Sequence, residues 1–282
     1  MRVRGSRVLV TGAGHGLGLA TAIAFARAGA AVIATDANAV TLERAVATLK
    51  RSGATAAGYA LDVTNPEQVL AVRDRVRTDH GRIDVLVNNA GILIGGAFLD
   101  VPPVRHLATA AVNFGGVMTV THAFLPDLIA QPAAHLVNIA SAAGVLALPF
   151  GGSYAATKWA VLGFTDSLRE ELRVLGHRHV GVTAVCPSYI ATGMADGATP
   201  ARFTRFLTAE RVAAAVVRAV ERRAELVMLP WQVRLLYAAT GWLPRPWFRA
   251  ACRAMGVHHS MTGWRGHPSG TQPGVETPGN SR

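Results

Sequence analysis

Short apolar runs alternate with longer stretches of helical period from the first residues onward. Arg7 to Val10 and Ala31 to Thr35 read as buried strands, and Gly16 to Ala28 between them as a helix closed by Gly29. Asn38 is placed to cap a helix over Val40 to Ser52, with Gly53 just past its end. Ala57 to Val63 predicts a third strand. Asn65, Pro66 and Gln68 then supply an N-cap, a first helical position and a capping box for a helix that stops near Gly81. Further strands are predicted over Ile83 to Val87, His135 to Ala140, Gly181 to Cys186 and Leu226 to Leu229, and helices over Val104 to Ile129, Ser153 to Leu175 and Ala209 to Arg223. Such alternation implies right-handed crossovers and a parallel sheet covered on both faces, a doubly wound α/β fold. The expected organisation is a body over residues 1–230, an appendage over 231–265, and a Pro/Gly/Ser/Thr-rich tail over 266–282 without periodicity, read as disordered.

Composition agrees with a packed core, since half of the 282 residues are apolar and only 16% are charged. The net charge of +11 is unevenly placed: residues 1–192 hold 16 basic and 12 acidic side chains, the remainder 12 and 5. Residues 226–265 carry five Arg and no acid, which suggests an anionic partner there. Nucleic acid is not expected, because the chain has only two lysines, Lys50 and Lys158, and no run of basic residues. Cys186 and Cys252 have no paired spacing, so neither a disulfide framework nor a zinc site is expected, and the histidines lack metal-ligand spacing. Only Val8 to Val10 follows the N-terminal arginines, too short for an export signal, so a cytoplasmic protein is predicted. Leu128 to Thr157 is free of charge, but its prolines, glycines, His135 and Asn138 favour strand plus loop over a membrane span.

The first strand runs into Thr11-Gly12-Ala13-Gly14-His15-Gly16-Leu17-Gly18 and then a helix. Glycines there permit a tight turn and close backbone approach to a pyrophosphate, while the helix N-terminus offers N–H groups and positive potential. Asp36, at the end of the second strand, can accept hydrogen bonds from an adenosine ribose diol and repels a 2′-phosphate, so NAD is favoured over NADP. Asp62, with Val63 beside it, is a candidate adenine contact, the alternative being a carboxylate that caps the next turn. The strongest chemical signal is Tyr154 followed four residues later by Lys158 at the start of a helix. That spacing sets both on one face, where an ammonium near the phenol lowers its pKa. Ser141 ends a predicted parallel strand thirteen positions earlier.

Together with Asp62-Val63, Asn88-Asn89-Ala90-Gly91 and Asn113, these residues make the chain resemble the short-chain dehydrogenase/reductase family over nearly all of residues 5–230. The resemblance implies a Rossmann-like fold, an oxidoreductase acting on alcohols and ketones, and a nicotinamide cofactor. By it, Tyr154 is the general acid/base, Lys158 binds the nicotinamide ribose and depresses the tyrosine pKa, Ser141 holds the substrate oxygen, and Asn113 positions a water in a proton relay. Asn88 to Gly91 are implied to line the cofactor pocket, with Pro187, Ile190 and Thr192 completing it and Thr192 on the carboxamide. Ser188 and Ala140 depart from the family's frequent Gly and Ser. Oxidation then has phenolate Tyr154 taking the alcohol proton as hydride moves to the nicotinamide. A homodimer or homotetramer is also implied, through helices containing Asn113 and Tyr154.

The loops Ile92 to Leu99, Ala142 to Gly152 and Ser188 to Phe206 are rich in apolar residues, among them Val145, Tyr189 and Phe203, which predicts a hydrophobic secondary alcohol or ketone of steroid, retinoid or lipid type. Val145 and Tyr189, with Ser141 and Tyr154, are the expected substrate contacts. Alternatives are an NADPH-dependent ketoreductase and a non-catalytic NAD-binding regulator, the latter having no need of Tyr154 and Lys158. The appendage gathers four of the five tryptophans with its arginines. It is expected to pack on the body, cap the substrate pocket or complete a subunit contact, with peripheral membrane contact as the rival.

Overall fold

Alternate side chains of each apolar run enter opposite faces of one sheet. The computed structural model describes residues 1–200, 202 and 205–264. Its seven strands are β1 (Arg7–Thr11), β2 (Ala31–Asp36), β3 (Ala56–Ala60), β4 (Val85–Asn88), β5 (Ala134–Ile139), β6 (Val180–Pro187) and β7 (Leu226–Leu229). They pair in the order β3-β2-β1-β4-β5-β6-β7, parallel throughout. In β1, Val8 and Val10 pack with Phe25 of α1 (Gly16–Arg27) and Val212 and Val216 of α7 (Ala209–Arg222). Leu9 points the other way, among Val72 of α3 (Pro66–His80), Phe124 of α5 (Gly116–Ile129) and Leu168 of α6 (Gly152–Val174). Each such wholly buried aliphatic or aromatic side chain contributes about 1.5–3 kcal/mol of transfer free energy.

Helix α2 (Ala39–Arg51) starts where Asn38 Oδ1 accepts from Val40 N and Thr41 N, at 3.0 and 3.1 Å. The capping box at α3 is only half made. Asn65 Oδ1 accepts from Gln68 N at 3.0 Å, but Gln68 Oε1 accepts from Asp62 N at 2.7 Å instead of closing on Asn65. Strand β3 correspondingly ends at Ala60 rather than Val63. The helix expected from Val104 to Ile129 is divided into α4 (Pro103–Ala110), a π-helical turn over Ala111–Gly115, and α5. The charge-free stretch from Leu128 resolves into the end of α5, β5, a loop with one 3₁₀ turn, and the start of α6. Among the described residues no helix is long and apolar enough to cross a membrane.

After β7 come α8 (Trp231–Thr240), α9 (Arg245–Ala254) and a 3₁₀ turn over Val257–His259. Val233, Cys252 and Val257 are buried there against Val161 and Leu162 of α6 and Met228 of β7. The expected tail over 266–282 lies outside the described residues, as does Phe203.

Candidate active site

The sheet order places the site. From β1 the chain builds outward to β2 and β3, then returns to add β4 on the other side of β1. Loops leaving β1 and β4 therefore diverge and open a crevice at the strand C-termini. Thr11 closes β1, and its hydroxyl accepts from Asn89 N and Ala90 N at 3.0 Å each. Asn89 Nδ2 donates to Thr11 O at 2.9 Å and Gly12 O at 3.1 Å, so the loop after β4 is tied to the glycine turn. A Cβ on Gly12, whose φ is +63°, would lie 2.9 Å from Ala90 Cα, and one on Gly18 only 1.9 Å from Gly12 O. Backbone packing thus requires both glycines.

Helix α1 follows His15 with no side-chain hydrogen bond at its cap and no acid in its first turn, while Leu17 packs toward the core. Its positive end is thereby left to an anionic group. Asp36 is buried beside the turn: its Oδ2 accepts from Gly14 N and its Oδ1 from Asn38 N, both at 2.9 Å. Thr192 lies over the opposite rim, 3.5 Å from where a Cβ on Gly16 would stand. Pro187 ends β6, and Ile190 bridges to Leu207. A cradle of obligatory glycines, an open helix N-terminus and a flanking carboxylate fit the pyrophosphate and ribose of a dinucleotide.

Two residues expected at this cradle are otherwise engaged. Asn88 is turned into the core, where its Nδ2 donates to Thr121 Oγ1 and Asn138 Oδ1 at 2.9 Å each. Asp62 is exposed and its Oδ1 accepts from Thr64 N at 2.9 Å, which is the turn-capping alternative; Val63 beside it is buried against Gly116.

Asn113, Ser141, Tyr154 and Lys158 meet at the end of the same crevice. Asn113 sits wholly buried in the π-helical turn, and a widened turn re-aims a side chain that a regular helix would place elsewhere. Its Oδ1 accepts from Ile92 N at 2.7 Å and its Nδ2 donates to Ile92 O at 2.9 Å. A Cβ on Gly91 would lie 3.2 Å from Asn113 Oδ1 and 3.7 Å from Lys158 Nζ, so Gly91 joins the two. Ser141 begins the 3₁₀ turn after β5, its Oγ accepting from Ala143 N at 3.1 Å, and it is hydrogen-bonded to the Tyr154 phenol. Lys158 Nζ donates to Ile139 O at 2.8 Å and stands 5.6 Å from the Tyr154 ring centre.

Desolvation dominates the electrostatics of the Tyr154–Lys158 pair. Burial pushes the Tyr154 phenol up to about 12, with the Ser141 hydrogen bond acting the other way. Burial also pushes the Lys158 ammonium down to about 8. Desolvation is the largest cause of both shifts.

Tyr154 packs on an apolar wall. Leu93, Ala195, Ala198 and Met261 are buried there, with Leu148, Tyr189, Met194 and Trp264 packed on them. Val145 does not join them: it is buried with Val117, Val161 and Cys252 beneath the appendage. The appendage itself ends as a strap across the wall. Trp264 Nε1 donates to Met194 O at 3.0 Å, Tyr189 OH donates to Ser260 Oγ at 2.8 Å, and Thr199 N donates to Ser260 O at 2.8 Å. A Cβ on Gly95 would lie 2.8 Å from the Trp264 ring, so the loop after β4 is shaped to admit that indole. A cleft of about 150 Å³ is lined by Ile94, Phe98, Leu148, Pro149 and Phe150 together with His106 and with Ser153, the residue before Tyr154 in the chain.

A family model described as short chain dehydrogenase matches residues 6–202. The chain belongs to the short-chain dehydrogenase family. The human protein named epidermal retinol dehydrogenase 2 is 32% identical over 265 residues, which cover 93% of this chain and 86% of that one. The mouse protein named estradiol 17-beta-dehydrogenase 11 is 30% identical over 234 residues, 83% of this chain and 78% of its own length. Among solved structures, a short-chain dehydrogenase/reductase from Burkholderia phymatum in complex with NAD superposes with a TM-score of 0.78 at 31% identity, covering 86% of this chain and 96% of that one.

Met261 and Trp264 of this short-chain dehydrogenase were not among the residues singled out for the substrate side, and neither was His106. No local pattern marks the first two. They join the cluster on which Tyr154 packs because the chain after α9 returns to the loops after β4 and β6. His106 Nδ1 pairs with Ser153 Oγ at 2.6 Å and its Nε2 with Phe98 O at 3.1 Å, which pins the cleft wall to the start of α6. A histidine two residues beyond Val104 on a helix carries no such signal in sequence.

Proposed function

We propose that the chain is a nicotinamide-dinucleotide-dependent oxidoreductase that interconverts a secondary alcohol and a ketone on a hydrophobic skeleton, with NAD preferred. The observation that carries this reading is the convergence of Asn113, Ser141, Tyr154 and Lys158 at one end of the crevice, beside a wall of buried apolar side chains. Bound on the glycine turn, the dinucleotide supplies the hydride chemistry. Residues Thr11 to Gly18, Asp36, Asn89, Ala90, Gly91, Pro187, Ile190 and Thr192 would hold it, with Asp36 toward the adenosine ribose. Ser141 Oγ holds the substrate oxygen, and the Tyr154 hydroxyl delivers a proton to it in the carbonyl-reducing direction, while the Tyr154 phenolate takes one from it in the alcohol-oxidising direction. With the phenol pushed up to about 12, Tyr154 carries its proton at neutral pH, the form that protonates a carbonyl. Lys158 is the adjacent cation, and Asn113 holds the backbone at Ile92 in place between cofactor and substrate.

The names of the retinol and estradiol dehydrogenase relatives and the wall of Leu93, Tyr189, Met261 and Trp264 support a steroid-, retinoid- or lipid-like substrate. In this reading residues 1–230 are the cofactor-binding body and the appendage closes the substrate side. A homodimer or homotetramer forms through the helices around Asn113 and Tyr154, where Met118 and Trp159 are exposed. Both cysteines are free and buried, which suits a reducing cytoplasm. The test is a panel of steroid, retinoid and long-chain secondary alcohols beside small polyols, each with NAD and with NADP, followed by the absorbance of the reduced nicotinamide. Turnover of hydrophobic alcohols with NAD is expected; activity confined to polyols would reject the substrate class.

A further inference from the structure

The appendage is two-sided. Its inner side is spent on packing, with Val233, Cys252 and Val257 buried on α6 and β7. Its outer side is left with large aromatics in water: Trp242 is 91% exposed, Trp247 72% and Trp231 65%. Leu235 and Leu243 are exposed beside them in sequence. Apolar surface of this extent on a folded chain marks an interaction site.

The charges around these side chains select the partner. Arg245, Arg249 and Arg253 follow one another at a spacing of four along α9, which sets them in one row, and Arg234 is exposed on α8. None of the four takes part in an ion pair among the described residues. No acidic residue occurs anywhere in 226–265. A second copy docking here about a two-fold axis would bring one arginine row against the other, which like-charge repulsion opposes. An anionic lipid surface meets both halves of the pattern. Indole rings settle at the headgroup level and arginines pair with headgroup phosphates and carboxylates.

We propose that the outer face of α8 and α9 docks on an anionic lipid bilayer, with Trp231, Trp242 and Trp247 at the headgroup layer and Arg234, Arg245, Arg249 and Arg253 on the headgroups. The same segment continues to Met261 and Trp264 at the wall of the candidate active site, so the element that meets the membrane also closes the substrate side. The docking does not depend on the proposed reaction, and its test uses no turnover.

The experiment is co-sedimentation of the full chain with phosphatidylcholine vesicles, with and without phosphatidylserine, at low and high salt. Binding to the serine-containing vesicles that salt removes is expected, because surface charges are screened. Arg245→Gln with Arg249→Gln is expected to weaken it about 25-fold, or about fivefold per arginine. Trp242→Ala with Trp247→Ala should weaken it at least as far. These side chains are exposed, so circular dichroism and thermal melting should match the parent. Equal binding to both vesicle types, no binding to either, or variants that bind like the parent would overturn the proposal. So would an oligomer on gel filtration that the tryptophan pair of substitutions dissociates, since the face would then join copies of the chain.

Discussion

Asp36 offers the sharpest quantitative test of how the cofactor is chosen. Its carboxylate is buried and held by two backbone N–H groups, from Gly14 and Asn38, so it cannot swing aside for a larger ligand. A carboxylate and a phosphate dianion roughly 5 Å apart repel by about 3 kcal/mol at an effective dielectric near 40, which is about a hundredfold in binding. Asp36→Ser removes that repulsion together with the acceptor for the ribose hydroxyls, whose charged hydrogen bonds are worth about 1.5–3 kcal/mol each. The expected outcome is weaker NADH and tighter NADPH, with the ratio of dissociation constants moving by at least about three orders of magnitude. Fluorescence titration of both reduced cofactors measures this, and Asp36→Asn, which keeps the shape and drops the charge, isolates the Coulomb part. Loss of an acceptor for buried N–H groups should also cost about 1–3 kcal/mol in stability, visible in thermal melts. A folded variant whose cofactor ratio equals the parent's would refute the reasoning.

Other consequences follow from the packing and the buried titrating groups. Burial, reinforced by Arg223, pushes His135 from 6.5 down to about 3. The unfolded chain therefore binds more protons between these values, and stability should fall on the order of 4 kcal/mol as pH drops from about 6.5 to 3. Thermal melts across that range check it, and a flat profile would contradict it. Gly18→Ala puts a Cβ 1.9 Å from Gly12 O, so the turn must move. A cost of about 3 kcal/mol is expected, with at least tenfold weaker NADH binding by titration. Gly163→Ala on α6 meets nothing within 4 Å and should stabilise the protein by up to about 1 kcal/mol in the same melts.

Features that depend on local chain chemistry were legible in the sequence. The glycine turn, the caps at Asn38 and Asn65, the strands and the Tyr154–Lys158 spacing each have a short-range physical cause, and the parallel sheet follows from their alternation. What escaped depends on contacts between distant segments. A π-helical turn slips the apolar period by a single residue, too small a change to mark in one stretch, so Val104 to Ile129 reads as one helix although the turn is what carries Asn113. Asn88 and Asn89 look alike in sequence, yet strand alternation sends the first into the core and the second onto the glycine turn. Val145 was expected beside the substrate for its place in an apolar loop, but the appendage covers it. Met261 and Trp264, which share an apolar cluster with Tyr154, stand more than a hundred residues away in the chain. Spacing sets Lys158 on one face with Tyr154, whereas the desolvation that is the largest cause of both groups' pKa shifts comes from the surrounding fold.

The central claim is that the Tyr154 hydroxyl exchanges the proton at the substrate oxygen. Tyr154→Phe removes one oxygen from a packed site, so the fold and the cofactor cradle should remain. The direct measurement pairs turnover of a hydrophobic secondary alcohol with NADH titration on the same preparation. The account predicts at least a hundredfold loss of kcat, in the usual range for general acid–base catalysis, with NADH affinity within about twofold of the parent, a difference well under 1 kcal/mol. Turnover that survives undiminished in Tyr154→Phe would contradict it.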